Sequence, residues 1–191
     1  HNSKQTSNTY SLNSHIIKAK IKKFAIKEKE AGNTIKLAKK FGYNFKNIDL
    51  SGIVLNDLDM RHTFLTNINL SSAELYPADL TNAQLKEVTF KRAFLPKIIL
   101  NKAYLDKVSL ESAKLTESSL INSYLIRVSF NKANLSHANL SRARLINVDL
   151  SNVDLRGAIL DNAYLERVTM KNTNLSGAHL YNTTIKNSVI Q

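Results

Sequence analysis

Side chains able to support metal or acid–base chemistry are few in this chain and widely spaced. The chain has no cysteine, which excludes disulfides and thiolate ligands. The five residues that could ligate a metal through imidazole are His1, His15, His62, His137 and His179. They are too far apart in sequence to indicate a shared site, and no H-E-x-x-H motif is present. Asp59 and Asp79, which are 20 residues apart, are the remaining candidates for a shared cation.

No motif for catalysis or phosphate binding accompanies these residues. The chain has neither a G-x-G-x-x-G sequence nor a P-loop, and its five glycines are scattered. Its many serines do not recur in register with a histidine and an acid, as an activated nucleophile would require. We therefore expect no catalytic residue, no metal and no cofactor, and we predict that the protein is not an enzyme.

The positive charge is concentrated at the start of the chain. The formal net charge is +12, yet residues 1–47 contain 11 Lys against two Glu, a net of +9, whereas residues 48–191 carry 16 basic and 13 acidic side chains, a net of +3. No apolar stretch approaches the roughly 18 residues that a membrane span requires. A length of 191 residues suits one domain. We expect a soluble protein whose main body is nearly neutral.

Elements that repeat every five residues must position all of these side chains. From Phe45 to Ile190 every fifth residue is large and apolar, and these 30 centre residues comprise 23 Leu, 3 Phe, 2 Met and 2 Ile. The residue two places earlier is mostly small or β-branched, which indicates short strands separated by corners rather than helix. Larger side chains return at this earlier position every 20 residues, at Ile48, Ile68, Val88, Val108, Val128, Val148 and Val168.

The 20-residue period predicts that four pentads form one square coil. Stacked coils would be about 4.8 Å apart, so residues 43–190 would make roughly 7.5 coils around a packed interior. The runs Ala133–His137, Ala138–Arg142 and Ala78–Asn82 resemble the A(D/N)LXX motif of the pentapeptide-repeat family. This resemblance implies an all-β solenoid, a right-handed quadrilateral β-helix. It also implies that Asp59 and Asp79 occupy the D/N position of the motif, which favours a structural role over a metal site.

The segment before the repeats is predicted to cover the first coil. Ser14 is expected to cap a helix over about 15–31, with Ile17, Ile21 and Phe24 on its apolar face and Gly32 ending it. A second short helix is expected from Asn33 to about Lys40. The predicted organisation is a polar tail or linker over 1–13, a basic helical cap over 14–42 and the β-helix over 43–191.

Lysines of the cap helix are candidates for contact with an anionic membrane or nucleic acid. They are Lys18, Lys20, Lys22, Lys23 and Lys27. The alternative is a solvated polar face, which we favour because the short apolar stripe is already needed to cover the core.

A set of outward side chains on one wall is the strongest candidate for binding a partner. This aromatic column consists of the residues before successive centre residues: Phe64, Gln84, Tyr104, Tyr124, Arg144 and Tyr164. Basic residues flank it at the corners, namely Lys102, Lys107, Arg127, Arg142 and Arg167. Tyr and Arg are enriched at protein interfaces, although aromatic residues also stabilise β surfaces by stacking across strands. Ile121, Ile126 and Ile146, expected to be exposed nearby, favour a protein over a nucleic acid as partner.

The last predicted coil would leave Leu175, Leu180, Ile185 and Ile190 open at the end of the rod. A solenoid end of this kind requires a cover, and we expect an end-to-end homodimer through this coil or a continuation of the chain. A start at His1 instead of Met is likewise expected for a piece of a longer protein.

The favoured function is a rigid scaffold that binds another protein through the aromatic column. The family resemblance also implies a DNA mimic that acts on type II topoisomerases, but such a mimic requires an acidic surface and this one is slightly basic. A secreted bacterial effector with a membrane-binding cap is a further alternative, and direct nucleic-acid binding is another. The expected location is the bacterial cytoplasm or, after secretion, a host cell.

Overall fold

The computed structural model describes residues 10–191, so most of the predicted tail over 1–13 lies outside the described residues. The chain begins with α1 (Ser14–Glu30), β1 (Ile35–Lys36) and α2 (Leu37–Phe41). Short strands then follow at the repeat spacing: β2 (Asn44–Asp49), β3 (Leu58–Asp59), β4 (Phe64–Asn69), β5 (Ala78–Asp79), β6 (Gln84–Thr89), β7 (Tyr104–Asp106), β8 (Tyr124–Ile126), β9 (Arg144–Ile146), β10 (Tyr164–Glu166), β11 (Thr169–Met170), β12 (Thr184–Lys186) and β13 (Val189–Ile190).

Parallel pairing between residues 20 apart holds the coils together. The longest ladder runs β2-β4-β6-β7-β8-β9-β10-β12 along one wall over residues 44–186. Phe45 pairs with Leu65, and the same step continues to Leu165 and Ile185. Isolated bridges with the same 20-residue step, such as Asp149 to Thr169, connect the other walls. The parallel β-solenoid predicted from the two sequence periods is confirmed.

The centre residues and the residues two places before them form one continuous core. Centre residues from Phe45 to Met170 are at most 5% exposed. The side chains two places earlier are also buried over the same coils, with Phe90 and Phe130 among the largest groups in the interior. Apolar burial on this scale is the main favourable contribution to folding.

Corners of the coil use the left-handed backbone region. The residue two places after a centre residue has a φ between 49 and 63° wherever it is not Gly or Pro. This conformation costs roughly 1–2 kcal/mol for a residue with a side chain. The corner amides offset that cost by donating to the next coil, as in Lys102 N–H to Ile121 O at 2.9 Å and Arg142 N–H to Asp161 O at 2.9 Å.

Helix α1 covers the first coil, although its start differs from the expectation. Ser14 is the first helical residue and not the cap, because its hydroxyl is buried against the rod and accepts a hydrogen bond from the Asp49 amide at 2.7 Å. Ile21 and Ala25 are buried, and Phe24 packs edge-on against Phe41 with ring centroids 5.7 Å apart. Within residues 10–191 no helix is both long and apolar enough to cross a membrane.

The second predicted helix, over 33–40, is partly wrong. Ile35 and Lys36 form β1, which pairs in parallel with Leu58 and Asp59 at the open edge of the first coil. The Ile35 amide donates to Asp57 O at 2.8 Å, so the edge satisfies backbone groups that a helix would satisfy internally. Helix α2 therefore starts only at Leu37 and ends at Phe41.

Candidate functional site

The aromatic column occupies the long parallel ladder. Phe64, Gln84, Tyr104, Tyr124, Arg144 and Tyr164 face one another at successive steps, each directly before a buried centre leucine. Pairing of the backbone on both sides holds each side chain in register with the next. The spacing from Tyr104 to Tyr164 is three ladder steps, about 14 Å.

Four members of the column form one continuous stack. The rings of Tyr104 and Tyr124 are nearly parallel, 19° apart, with centroids separated by 5.7 Å. The Arg144 guanidinium lies between two tyrosines, 5.5 Å from the Tyr124 centroid and 5.0 Å from that of Tyr164. Lys186 extends the stack, with its Nζ 5.7 Å from the Tyr164 centroid. Each cation–π contact contributes about 0.5–1 kcal/mol at an exposed site.

Phe64 is an exposed member of the column that stands apart from this stack. Gln84 lies between Phe64 and Tyr104 in the ladder, so one polar step separates the two rings. The order of residues along the ladder therefore gives an apolar side chain at one end and a cationic, aromatic stretch from Tyr104 onward.

Two of the flanking arginines are engaged within the rod. Arg127 makes a bidentate pair with Asp106, with nitrogen–oxygen distances of 2.9 and 2.7 Å, and Asp106 is only 8% exposed. Arg167 donates to Asn147 Oδ1 at 2.8 Å and to Glu166 Oε1 at 3.0 Å. These acids neutralise the charge of both arginines locally. Lys107 is exposed at the same corner and makes no ion pair within the described part of the chain.

The isoleucines beside the column are less exposed than expected. Ile121, Ile126 and Ile146 are each partly buried. Ile126 and Ile146 are neighbours in the ladder and follow Asp106 at the preceding step, so each covers part of the next. The column is therefore bordered by half-buried apolar side chains rather than by a fully open apolar patch.

The carboxylates considered for a metal are occupied by hydrogen bonds. The Arg61 guanidinium binds both oxygens of Asp59 at 3.0 Å, and this pairing lowers the pKa of that carboxyl. Asp79 accepts hydrogen bonds from the amide and the hydroxyl of Thr81. Among residues 10–191 no group of three or more His, Cys, Asp or Glu side chains is arranged to hold a metal ion.

The lysines predicted to contact an anionic surface do not behave alike. Lys18 is partly buried and its Nζ donates to Ser51 O at 2.6 Å, so it fastens α1 to the first coil. Lys20, Lys22, Lys23 and Lys27 are exposed. The expected set is thus reduced by Lys18, whose ammonium is directed at a carbonyl of the rod.

Comparison with known proteins gives one consistent result. A family model described as "Pentapeptide repeat region" matches residues 98–180, and one described as "Pentapeptide repeats (8 copies)" matches residues 48–86. No curated protein matches the chain.

Solved structures with the same architecture are similar to the chain. Trypsin-treated QnrB1, a plasmid-mediated fluoroquinolone resistance protein, aligns with a TM-score of 0.60 and 16% identity over 78% of this chain and 81% of that one. HetL, involved in heterocyst differentiation regulation in the cyanobacterium Nostoc sp. strain PCC 7120, is 26% identical over 86% of this chain and 92% of that one, with a TM-score of 0.31. The similarity to QnrB1 shows the shared fold.

Proposed function

The chain belongs to the pentapeptide-repeat family, and on that premise we propose that it is a non-enzymatic scaffold that binds another protein through the aromatic column. The observation that carries this proposal is the continuous stack from Tyr104 to Tyr164, with Arg144 held between two rings. Tyrosine and arginine are the side chains that most often dominate the energy of a protein interface.

Rigidity of the stack supports binding. Each side chain is held by its neighbours in the ladder, so little rotamer freedom is lost when a partner covers it. Tyr164 illustrates this, since its hydroxyl is hydrogen-bonded to Glu166 at 3.2 Å while its ring contacts Arg144 and Lys186. The hydrogen-bonding hydroxyls and aromatic faces together suit a partner surface of mixed polarity.

The charge around the column favours a protein over a nucleic acid or a topoisomerase. Asp106 and Glu166 pair with Arg127 and Arg167, which leaves a weakly basic surface instead of a continuous phosphate-binding one. A DNA mimic would require carboxylates repeated along a wall. The aromatic column itself contains no acidic residue.

We expect a Tyr104→Ala, Tyr124→Ala, Tyr164→Ala variant to lose at least about 30-fold in captured partner relative to the unaltered protein, because removal of one hot-spot residue already costs about 2 kcal/mol or more. The measurement is affinity capture followed by quantitative mass spectrometry. The matched control replaces three side chains at successive ladder steps on another wall, Phe94→Ala, Lys114→Ala and Asn134→Ala. Equal capture by all three proteins, each shown to be folded, would contradict the proposal.

The last coil supports a separate proposal, an end-to-end homodimer. Leu180, Ile185, Val189 and Ile190 are exposed, whereas the centre residues of inner coils are not, and Ile190 reaches 55% exposure. A two-fold contact between identical ends would bury this apolar face on both copies.

We expect light scattering at micromolar concentration to report a dimer, and an Ile185→Lys, Ile190→Lys variant to be monomeric, since two buried charges would oppose the contact. The variant Phe94→Lys, which adds charge to an exposed apolar position on the side of the rod, should leave the dimer intact. A monomeric mass for the unaltered chain would refute the pairing.

A further inference from the structure

Helix α1 has a second apolar face that the core does not use. Ile21 is fully buried against the first coil. Ile16 and Ile26 are each five residues from Ile21, so at 100° per residue each is turned about 140° away from the buried direction, on opposite sides. They are 44% and 59% exposed. Ala19 and Lys23 lie between them on the same outward face and are exposed as well.

Apolar surface continues on either side of this outward face. Leu12, in the turn just before α1, is 95% exposed. At the other end, Ile26 borders an open groove of about 430 Å³ between the helix and the first coil, which Ala25 and the exposed Val54 also line. Exposed isoleucine, leucine and valine at several sites around one helix exceed what covering the rod requires.

Lysines surround the apolar residues and have no acidic partners. Lys20 and Lys27 lie on one side of the outward face, and Lys22 and Lys29 on the other. All are exposed, as is Lys23, and within the described residues none of them forms an ion pair. This differs from the aromatic column, where acids of the rod neutralise Arg127 and Arg167.

We propose that the outward face of α1 is a docking surface for an anionic lipid bilayer. Leu12, Ile16 and Ile26 would enter the boundary between headgroups and acyl chains, and the flanking lysines would lie at the level of the lipid phosphates. Cationic side chains on both sides of an apolar stripe complement such a surface. A nucleic acid would use the lysines but would offer no apolar environment to the isoleucines. This site is independent of the proposed function of the aromatic column.

The binding test uses vesicles of phosphatidylcholine with phosphatidylserine, and vesicles of phosphatidylcholine alone, in a sedimentation assay at low salt. We expect binding to the anionic vesicles only. Lys22→Gln, Lys23→Gln, Lys27→Gln should weaken binding about 100-fold, from roughly five-fold per lysine. The matched control, Lys86→Gln, Lys132→Gln, Lys171→Gln, makes the same change of charge at exposed positions of the rod and should bind as the unaltered protein does.

A second pair of variants tests entry into the bilayer. Ile16→Ser, Ile26→Ser should weaken binding at least about 10-fold without altering the circular dichroism spectrum, because both side chains are exposed. The chain has no tryptophan, so Ile26→Trp introduces a unique fluorophore whose emission should shift to shorter wavelength on anionic vesicles, whereas that of Lys132→Trp should not.

Three results would overturn the docking surface. The first is no binding to phosphatidylserine vesicles at low salt. The second is an equal loss from the α1 and rod lysine variants, which would indicate attraction by net charge alone. The third is binding that survives Ile16→Ser, Ile26→Ser and is displaced by a DNA duplex, which would assign the lysines to nucleic acid.

Discussion

Leu140→Ala is expected to lower the free energy of unfolding by about 3–5 kcal/mol, whereas Leu180→Ala should lower it by about 1 kcal/mol or less. The two leucines share one wall and one repeat position two coils apart, as the bridges Asn139 to Ile159 and Ile159 to His179 show. Leu140 is fully buried, and Leu180 is 43% exposed. Removal of the inner side chain leaves a cavity between two packed coils, whereas removal of the outer one leaves only solvent-accessible space.

Urea unfolding followed by far-UV circular dichroism measures the difference, provided that the two variants have equal m-values. A similar loss for both variants would mean that the last coil is packed as tightly as the inner ones in solution. Dilution would then identify the reason. If a second copy covers Leu180, the cost of Leu180→Ala falls as the protein concentration is lowered, because dimerisation stabilises the folded chain by mass action.

The solenoid was predictable because its residue pattern is written in two periods. Every fifth residue identifies the centre positions, and the return of larger side chains every 20 residues identifies the wall. Those two periods also predict the register of Tyr104 with Tyr124 and of Arg144 with Tyr164, which the ladder confirms. A backbone that repeats without insertion leaves no freedom in which residues become neighbours.

The cap was less predictable because it follows no period. Asn33 and the residues after it resemble a helix start, yet the first coil presents an open edge with which Ile35 and Lys36 pair. Ser14 likewise has the residue type of a helix cap, but its hydroxyl lies against the Asp49 amide. In both cases a tertiary partner outweighs a local preference of about 1 kcal/mol.

Side-chain partners within a wall were also beyond the sequence periods. Spacing places Arg127 at a corner, but it does not show whether the guanidinium turns to solvent or to an acid of the preceding coil. Asp106 is 21 residues earlier and is the acid that Arg127 reaches. Lys18 shows the same effect, since its residue type suggested a free charge and its Nζ binds the Ser51 carbonyl. Long side chains have rotamers that the repeat does not constrain.

Arg127→Ala is expected to lower the free energy of unfolding by about 2–3 kcal/mol, because it leaves the Asp106 carboxylate buried without its partner. Both oxygens of Asp106 are bound by this guanidinium, at 2.9 and 2.7 Å. Arg167→Ala is the matched control, since it removes the same residue type at the same corner two coils further along. Its loss should be about 1 kcal/mol or less, because Glu166 is more exposed to water.

A double variant separates the cost of a broken pair from the worth of the pair. Asp106→Ile, Arg127→Ala places in the ladder the residue type that Ile126 and Ile146 already supply at the next two steps. We expect it to recover the stability lost in Arg127→Ala, since apolar groups often replace a buried ion pair without cost. If the double variant is as unstable as Arg127→Ala alone, the loss comes from the packing of the arginine stem and not from the isolated carboxylate. Recovery would instead assign the pair to holding the edge of the aromatic column neutral.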